Sequence, residues 1–120
     1  MIIAITSSGK KLTSQVDVRF GRAKYFILYN TNDLSVNVYE NNQNLSALQG
    51  AGIQSAQNVV ELNAEILITG NCGPKAFEIL NLADIKIFIT RDCSVQDALD
   101  LYLANQLAQL NEANLEGHWI

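Results

Sequence analysis

Three short apolar stretches, Ile2–Ile5, Glu65–Thr69 and Ile85–Ile89, constrain this chain more than anything else in it. Each is too short for a stable helix and is bounded by polar or glycine-containing turns. The first two read as strands buried on both faces, the pattern of a parallel sheet. The third alternates Ile85, Ile87 and Ile89 with Lys86 and Phe88, as an outer strand would; a lysine on an edge discourages further pairing.

Helical spacing follows each time. Gly50–Leu62 places Ile53, Ala56 and Val60 on one face. Pro74 suits the first turn of a helix that runs to about Leu82 and presents Phe77 and Leu80. Ser94-Val95-Gln96-Asp97 resembles a capping box with Asp in place of Glu. The helix after it shows Val95, Ala98, Leu99, Tyr102 and Leu103, and Asn105 ends it in a left-handed conformation. Tyr25–Asn30 and Ser35–Glu40 flank the turn residues Thr31-Asn32-Asp33 and read as a hairpin.

The order β, β-hairpin, α, β, α, β, α with right-handed crossovers predicts an α/β fold. Its five-stranded mixed sheet has the order 3-2-1-4-5, strand 2 antiparallel, helices on both faces. Residues 1–110 are expected to form one domain, with Leu107 and Leu110 in a short terminal turn and 111–120 as a mobile tail.

The charge is uneven. Residues 1–30 hold Lys10, Lys11, Arg19, Arg22 and Lys24 against Asp17 alone, whereas the remainder holds three basic residues against eleven acids. The overall charge of −4 argues against non-specific nucleic-acid binding, while the basic segment fits a small anionic partner. No apolar run approaches a membrane span, and Met1–Ile5 lacks the flank and core of a signal peptide, so the expected location is cytoplasmic.

Topology gathers the glycine turns at one sheet edge. The long loop over residues 6–23 carries Arg19 and Arg22; the turns Gly50-Ala51-Gly52 and Gly70-Asn71-Cys72-Gly73-Pro74 open the first two helices. The segment Arg91-Asp92-Cys93-Ser94 opens the third, so three helix N-termini are expected to point at that edge. Free N–H donors and helix dipoles there favour an anion. Cys72 and Cys93 follow adjacent strands and are expected to face one ligand. Each has two readings: a thiolate of lowered pKa that ligates a soft metal, or a small buried hydrophobe.

These residues carry a resemblance. Asp17-Val18-Arg19-Phe20-Gly21-Arg22-Ala23, Gly50-Ala51-Gly52-Ile53 and Thr69-Gly70-Asn71-Cys72-Gly73-Pro74-Lys75-Ala76-Phe77 together resemble the dinitrogenase iron–molybdenum cofactor biosynthesis family, which includes NifX- and NafY-like proteins and the C-terminal domain of NifB. The likeness extends from the first strand to about Leu110. The chain departs from the family at Val18, where Pro is common, and at Gln49, where a further Gly is common.

The resemblance implies a ribonuclease-H-like fold. It also implies a non-enzymatic role: binding, carrying or protecting an anionic iron–sulfur or molybdenum-containing cluster, in company with a cofactor-assembly protein. His118 matches the C-terminal histidine of many members and is a candidate metal ligand; alternatively it is a solvated tail residue.

The candidate ligand-contacting residues are therefore Arg19, Arg22, Gly50, Gly52, Gly70, Asn71, Gly73 and Lys75, with Cys72, Cys93 and His118 as candidate metal ligands. Arg19 or Arg22 has a second reading as a salt bridge to Asp17 or Asp92 that holds the loop shut. Asn71 either donates to the ligand or caps the second helix, and Lys75 adds charge to the site or lies in solvent. A nuclease is disfavoured, because Ala4-Ile5-Thr6 stands where that chemistry needs its first carboxylate. A phosphate- or nucleotide-type anion binder and a regulatory interaction module remain alternatives.

Overall fold

The computed structural model describes residues 1–42 and 50–114. Strands β1 (Ile2–Ser7), β2 (Tyr25–Asn30), β3 (Val36–Glu40), β4 (Ile66–Thr69), β5 (Lys86–Ile89) and β6 (Ala108–Gln109) form one sheet in the order β3-β2-β1-β4-β5-β6. Helices α1 (Ala51–Glu61), α2 (Pro74–Leu82) and α3 (Val95–Leu103) fill the crossovers. β1 pairs antiparallel with β2, from Ile2↔Asn30 to Ser7↔Tyr25, and parallel with β4. β4 pairs parallel with β5.

The central strand is apolar because both of its faces are covered. Ile3 and Ile5 point towards α3 and pack with Ile27, Ile66, Ile68, Val95 and Leu99. Ala4 points the other way and packs with Leu67, Ala56, Val59, Ala76 and Leu80 beneath α1 and α2. Each large aliphatic side chain buried this way stabilises the fold by roughly 1.5–3 kcal/mol before entropy is counted.

The expected strand order holds, with one addition. β5 is not the edge: β6 pairs antiparallel with it at Phe88↔Gln109 and Ile89↔Ala108. Asn105 takes a φ of 58° and turns the chain back beyond α3. Leu107 then packs on the α3 side and Leu110 on the α1/α2 side, with the Leu110 N–H donating to Ile87 O at 2.7 Å. The expected terminal turn is therefore a strand. Lys86 does not prevent the pairing, because β6 meets only the far end of β5.

The buried face of α1 also differs from expectation. Ser55, Ala56 and Val59 are buried, whereas Val60 is exposed. Ser55 turns inward because its hydroxyl accepts from Asn41 Nδ2 at 2.9 Å.

The loop between β1 and β2 is built rather than loose. The Val16 N–H donates to Cys93 O and the Asp17 N–H to Thr6 O, each at 3.0 Å. Thr6 Oγ1 donates to Asp17 O at 2.6 Å and lies 2.9 Å from Thr69 Oγ1. Phe20 opens a single 3₁₀ turn, Phe20–Arg22, and plugs into the core against Phe26. A buried anchor with charged neighbours on either side leaves Arg19 and Arg22 facing outward. Residues 111–120 were expected to form a mobile tail; its described part, through Asn114, is hydrogen-bonded to the turn after β4. No helix among the described residues is long and apolar enough to cross a membrane.

Candidate functional site

A cavity of about 960 Å³ lies at the carboxyl ends of the parallel strands. The 3₁₀ turn supplies one wall through Arg19, Gly21 and Arg22. The start of α1 supplies the second through Gly50, Gly52 and Ile53, and the turn into α2 the third through Asn71, Gly73 and Lys75. Seven of the eight expected contact residues therefore meet here; the exception is Gly70.

Gly70 serves the backbone instead. A Cβ placed on it would lie 2.5 Å from Val18 Cβ and 2.6 Å from Val18 O. Its lack of a side chain lets the arginine loop cross the turn after β4. The Asn71 N–H donates to Val18 O at 2.6 Å and the Phe20 N–H to Asn71 O at 3.2 Å. Gly21 does the same against α1, since its Cβ would meet Gly52 N at 3.0 Å. Gly50 differs: a Cβ there would have nothing within 4 Å among the described residues.

All three helices begin at the expected sheet edge, and two of their N-termini, those of α1 and α2, line the cavity. α1 and α2 start at Gly50 and Gly73, neither of which carries a capping side chain. No partner for the N–H groups of Ala51, Gly52, Lys75 or Ala76 is found among the described residues. The first turn of α3 is closed: Val95 and Gln96 N–H donate to Ser14 O and Leu12 O, and Asp97 N–H donates to Ser94 Oγ. α3 also packs on the opposite face of the sheet, so the cavity never sees it.

The cations differ among themselves. Asp17 Oδ1 accepts from the Arg19 backbone N–H at 3.0 Å and lies 3.5 Å from Arg19 Nε. The Arg19 side chain stays 68 % exposed, so this ion pair is worth less than about 1 kcal/mol and leaves most of the guanidinium free. Arg22 and Lys75 have no acidic partner among the described residues, and Asp92 pairs with neither arginine. Among the described residues, those lining the cavity include three basic side chains and no Asp, Glu, Cys or His.

The cysteines depart from expectation. Cys72 is wholly buried in the core beneath α1 and α2, and burial pushes its thiol up to about 12. The expected lowering near a helix N-terminus is reversed, because desolvation by burial penalises the thiolate. Cys93 packs on the α3 side, with Sγ 3.2 Å from Thr90 Oγ1. The two thiols thus lie on opposite faces of the sheet and share no ligand. Among the described residues no three His, Cys, Asp or Glu side chains are grouped to hold a metal ion. His118 and Gln49 lie outside the described residues.

Two asparagines that sequence reasoning passed over support the walls. Asn41 Nδ2 donates to Ala23 O at 2.8 Å and to Ser55 Oγ, while Asn58 Nδ2 donates to Asn41 Oδ1; this ties the arginine loop to α1. Asn114 ties down the turn into α2. Nothing in the local sequence marks either residue, since an asparagine in a polar stretch ordinarily signals a turn.

The sheet order, the crossovers and the position of the cavity define a mixed open-sheet α/β domain of the kind that binds its ligand at the carboxyl ends of its strands. The chain belongs to the dinitrogenase iron-molybdenum cofactor family, whose model matches residues 1–105. The apo form of the orange protein from Desulfovibrio gigas is similar over 95 % of this chain and 96 % of its own, with 33 % identity and a TM-score of 0.88. A Thermotoga protein described as a NifB protein is similar over 97 % of this chain and 98 % of its own, with 37 % identity and a TM-score of 0.82. A Methanocaldococcus jannaschii protein at 17 % identity, covering 93 % of this chain and 96 % of its own, has a TM-score of 0.71 and shares the fold. Comparison with curated proteins gives no match.

Proposed function

We propose that this protein binds and carries a preformed, anionic iron–sulfur or molybdenum-containing cluster, without catalysing a reaction, as an accessory to metallocofactor assembly. One observation carries this reading: the cavity offers cationic side chains and helix N–H groups and, among the described residues, no Cys, His, Asp or Glu side chain to bond a metal. Such a wall recognises the outer atoms of a guest that arrives with its own ligands. Sulfide or oxide atoms at the surface of a cluster accept hydrogen bonds from the start of α1 and α2, and Arg22, Arg19 and Lys75 offset its negative charge.

Size separates this reading from that of a simple oxyanion. A cavity of about 960 Å³ sits near the top of the roughly 300–1,000 Å³ range of small-molecule sites, far more than one phosphate fills. Family membership supports the same direction.

The test is anaerobic reconstitution with iron, sulfide and molybdate, followed by desalting, metal analysis and absorption spectroscopy. The wild-type chain retains metal, Arg22→Ala retains about fivefold less, and Cys72→Ala retains as much as wild type. Recovery of metal-free wild-type protein would refute the assignment. Displacement by micromolar phosphate would turn it into an oxyanion site.

A further inference from the structure

The turn between β4 and α2 is gripped from two sides. In front, the arginine loop bonds it through the Asn71 N–H to Val18 O and the Phe20 N–H to Asn71 O. Behind, Asn114 bonds it three times. Asn114 Oδ1 accepts from the Cys72 N–H at 2.8 Å, Asn114 Nδ2 donates to Gly70 O at 3.0 Å, and the Asn114 N–H donates to Cys72 O at 3.2 Å. The amide orientation is fixed by its neighbours: an N–H needs the oxygen and a carbonyl needs the nitrogen. One side chain thus satisfies backbone groups that the turn itself leaves unpaired.

The consequence for the cavity is directional. In a trans peptide the C=O and N–H point opposite ways. The Asn114 backbone N–H holds Cys72 O, and the two side-chain bonds seat that backbone against the turn, so the N–H of the same peptide, that of Gly73, points away from Asn114. Gly73 lines the cavity and no partner for its N–H is found among the described residues. Asn71, between the two bonded carbonyls, lines the cavity as well.

From this geometry we propose that Asn114 is a positioning residue of the anion site. It aims the Gly73 N–H at the bound anion and joins the C-terminal segment energetically to occupancy of the cavity. The inference rests on the anion-binding reading above and reaches a residue beyond the stretch that the family model matches. Coupling is reciprocal: a guest that needs the turn in this arrangement also tightens the hold of Asn114 on it.

The experiment uses the full chain as wild type, Asn114→Ala and Arg22→Ala. Tetrathiomolybdate, a soluble molybdenum–sulfur anion, is titrated in under anaerobic conditions while backbone amide resonances and amide exchange are followed. In the ligand-free protein, Asn114→Ala is expected to speed exchange at Cys72 at least tenfold with little change in Tm. It also weakens probe binding about tenfold. The Gly73 amide resonance moves on binding in the wild type and less than half as far in Asn114→Ala. Arg22→Ala weakens binding but leaves ligand-free exchange at Cys72 unchanged. Unaltered affinity in Asn114→Ala, or unaltered Cys72 exchange, would overturn the proposal. If the wild type binds no probe, the anion-site reading fails and the assignment of Asn114 to that site falls with it; accelerated Cys72 exchange would then show that the hold on the turn is structural only.

Discussion

Cys72 shows how one side chain changes meaning once its surroundings are known. It sits in a glycine turn beside a helix N-terminus, a place where thiols acidify, yet its sulfur is wholly buried and its pKa lies at about 12 against an ordinary 9.0. At pH 8 the difference of about three units leaves roughly a thousandfold less thiolate than an unburied cysteine would have. Iodoacetamide is therefore expected to alkylate native Cys72 on the order of a thousandfold more slowly than the same residue in denatured protein, read by mass spectrometry. The sign of the stability effect follows from the raised pKa. The unfolded thiol ionises near pH 9 and the folded one near 12, so the contribution of Cys72 is complete below pH 9 and is lost as pH rises from 9 to 12. Comparable labelling rates in native and denatured protein would show that the thiol is accessible. Arg19 and Arg22 divide in a similar way: the same residue type in one loop, one steered by Asp17 and the other without an acidic neighbour among the described residues.

At the scale of elements, the site depends on how closely three backbones approach one another. The arginine loop rests on Gly70, and the 3₁₀ turn rests on the first turn of α1 through Gly21. Gly70→Ala would drive a methyl group to 2.5 Å from Val18 Cβ and 2.7 Å from its Cα, both parts of the loop itself. Relief requires the loop to lift, at a cost of about 2–3 kcal/mol. The expected outcome is a lower denaturation midpoint and weakened tetrathiomolybdate binding, because Arg19 moves with the loop. A variant as stable as wild type would mean that the crossing is looser than the distances imply. Glycine turns were legible in the sequence, but their purpose was not. Gly50 opens onto the cavity, while Gly70 makes room for another piece of backbone, and both are preceded by ordinary polar or aliphatic residues.

Across the whole molecule, the sheet separates two jobs. The α1/α2 face carries the cavity; the α3 face is a closed core whose helix begins at a capped Ser94. Ser94→Ala is expected to lose about 1 kcal/mol of stability in a denaturant melt. Probe affinity should stay within about twofold of wild type; a larger loss would show that the two faces communicate. The alternation of strand and helix patterns sufficed for the order of the first five strands and for bringing Arg22, Gly50 and Gly73 to one rim, because hydrophobic periodicity and crossover handedness are local or nearly universal. β6 escaped notice because two residues, Ala108–Gln109, are too few to show a period. Which side of the sheet each thiol joins, which helix start is already closed, and what Asn114 holds were decided only by the tertiary structure. Those properties depend on partners remote in the chain, Asn114 and Gly70 being 44 residues apart, and no local pattern records a hydrogen bond made across such a distance.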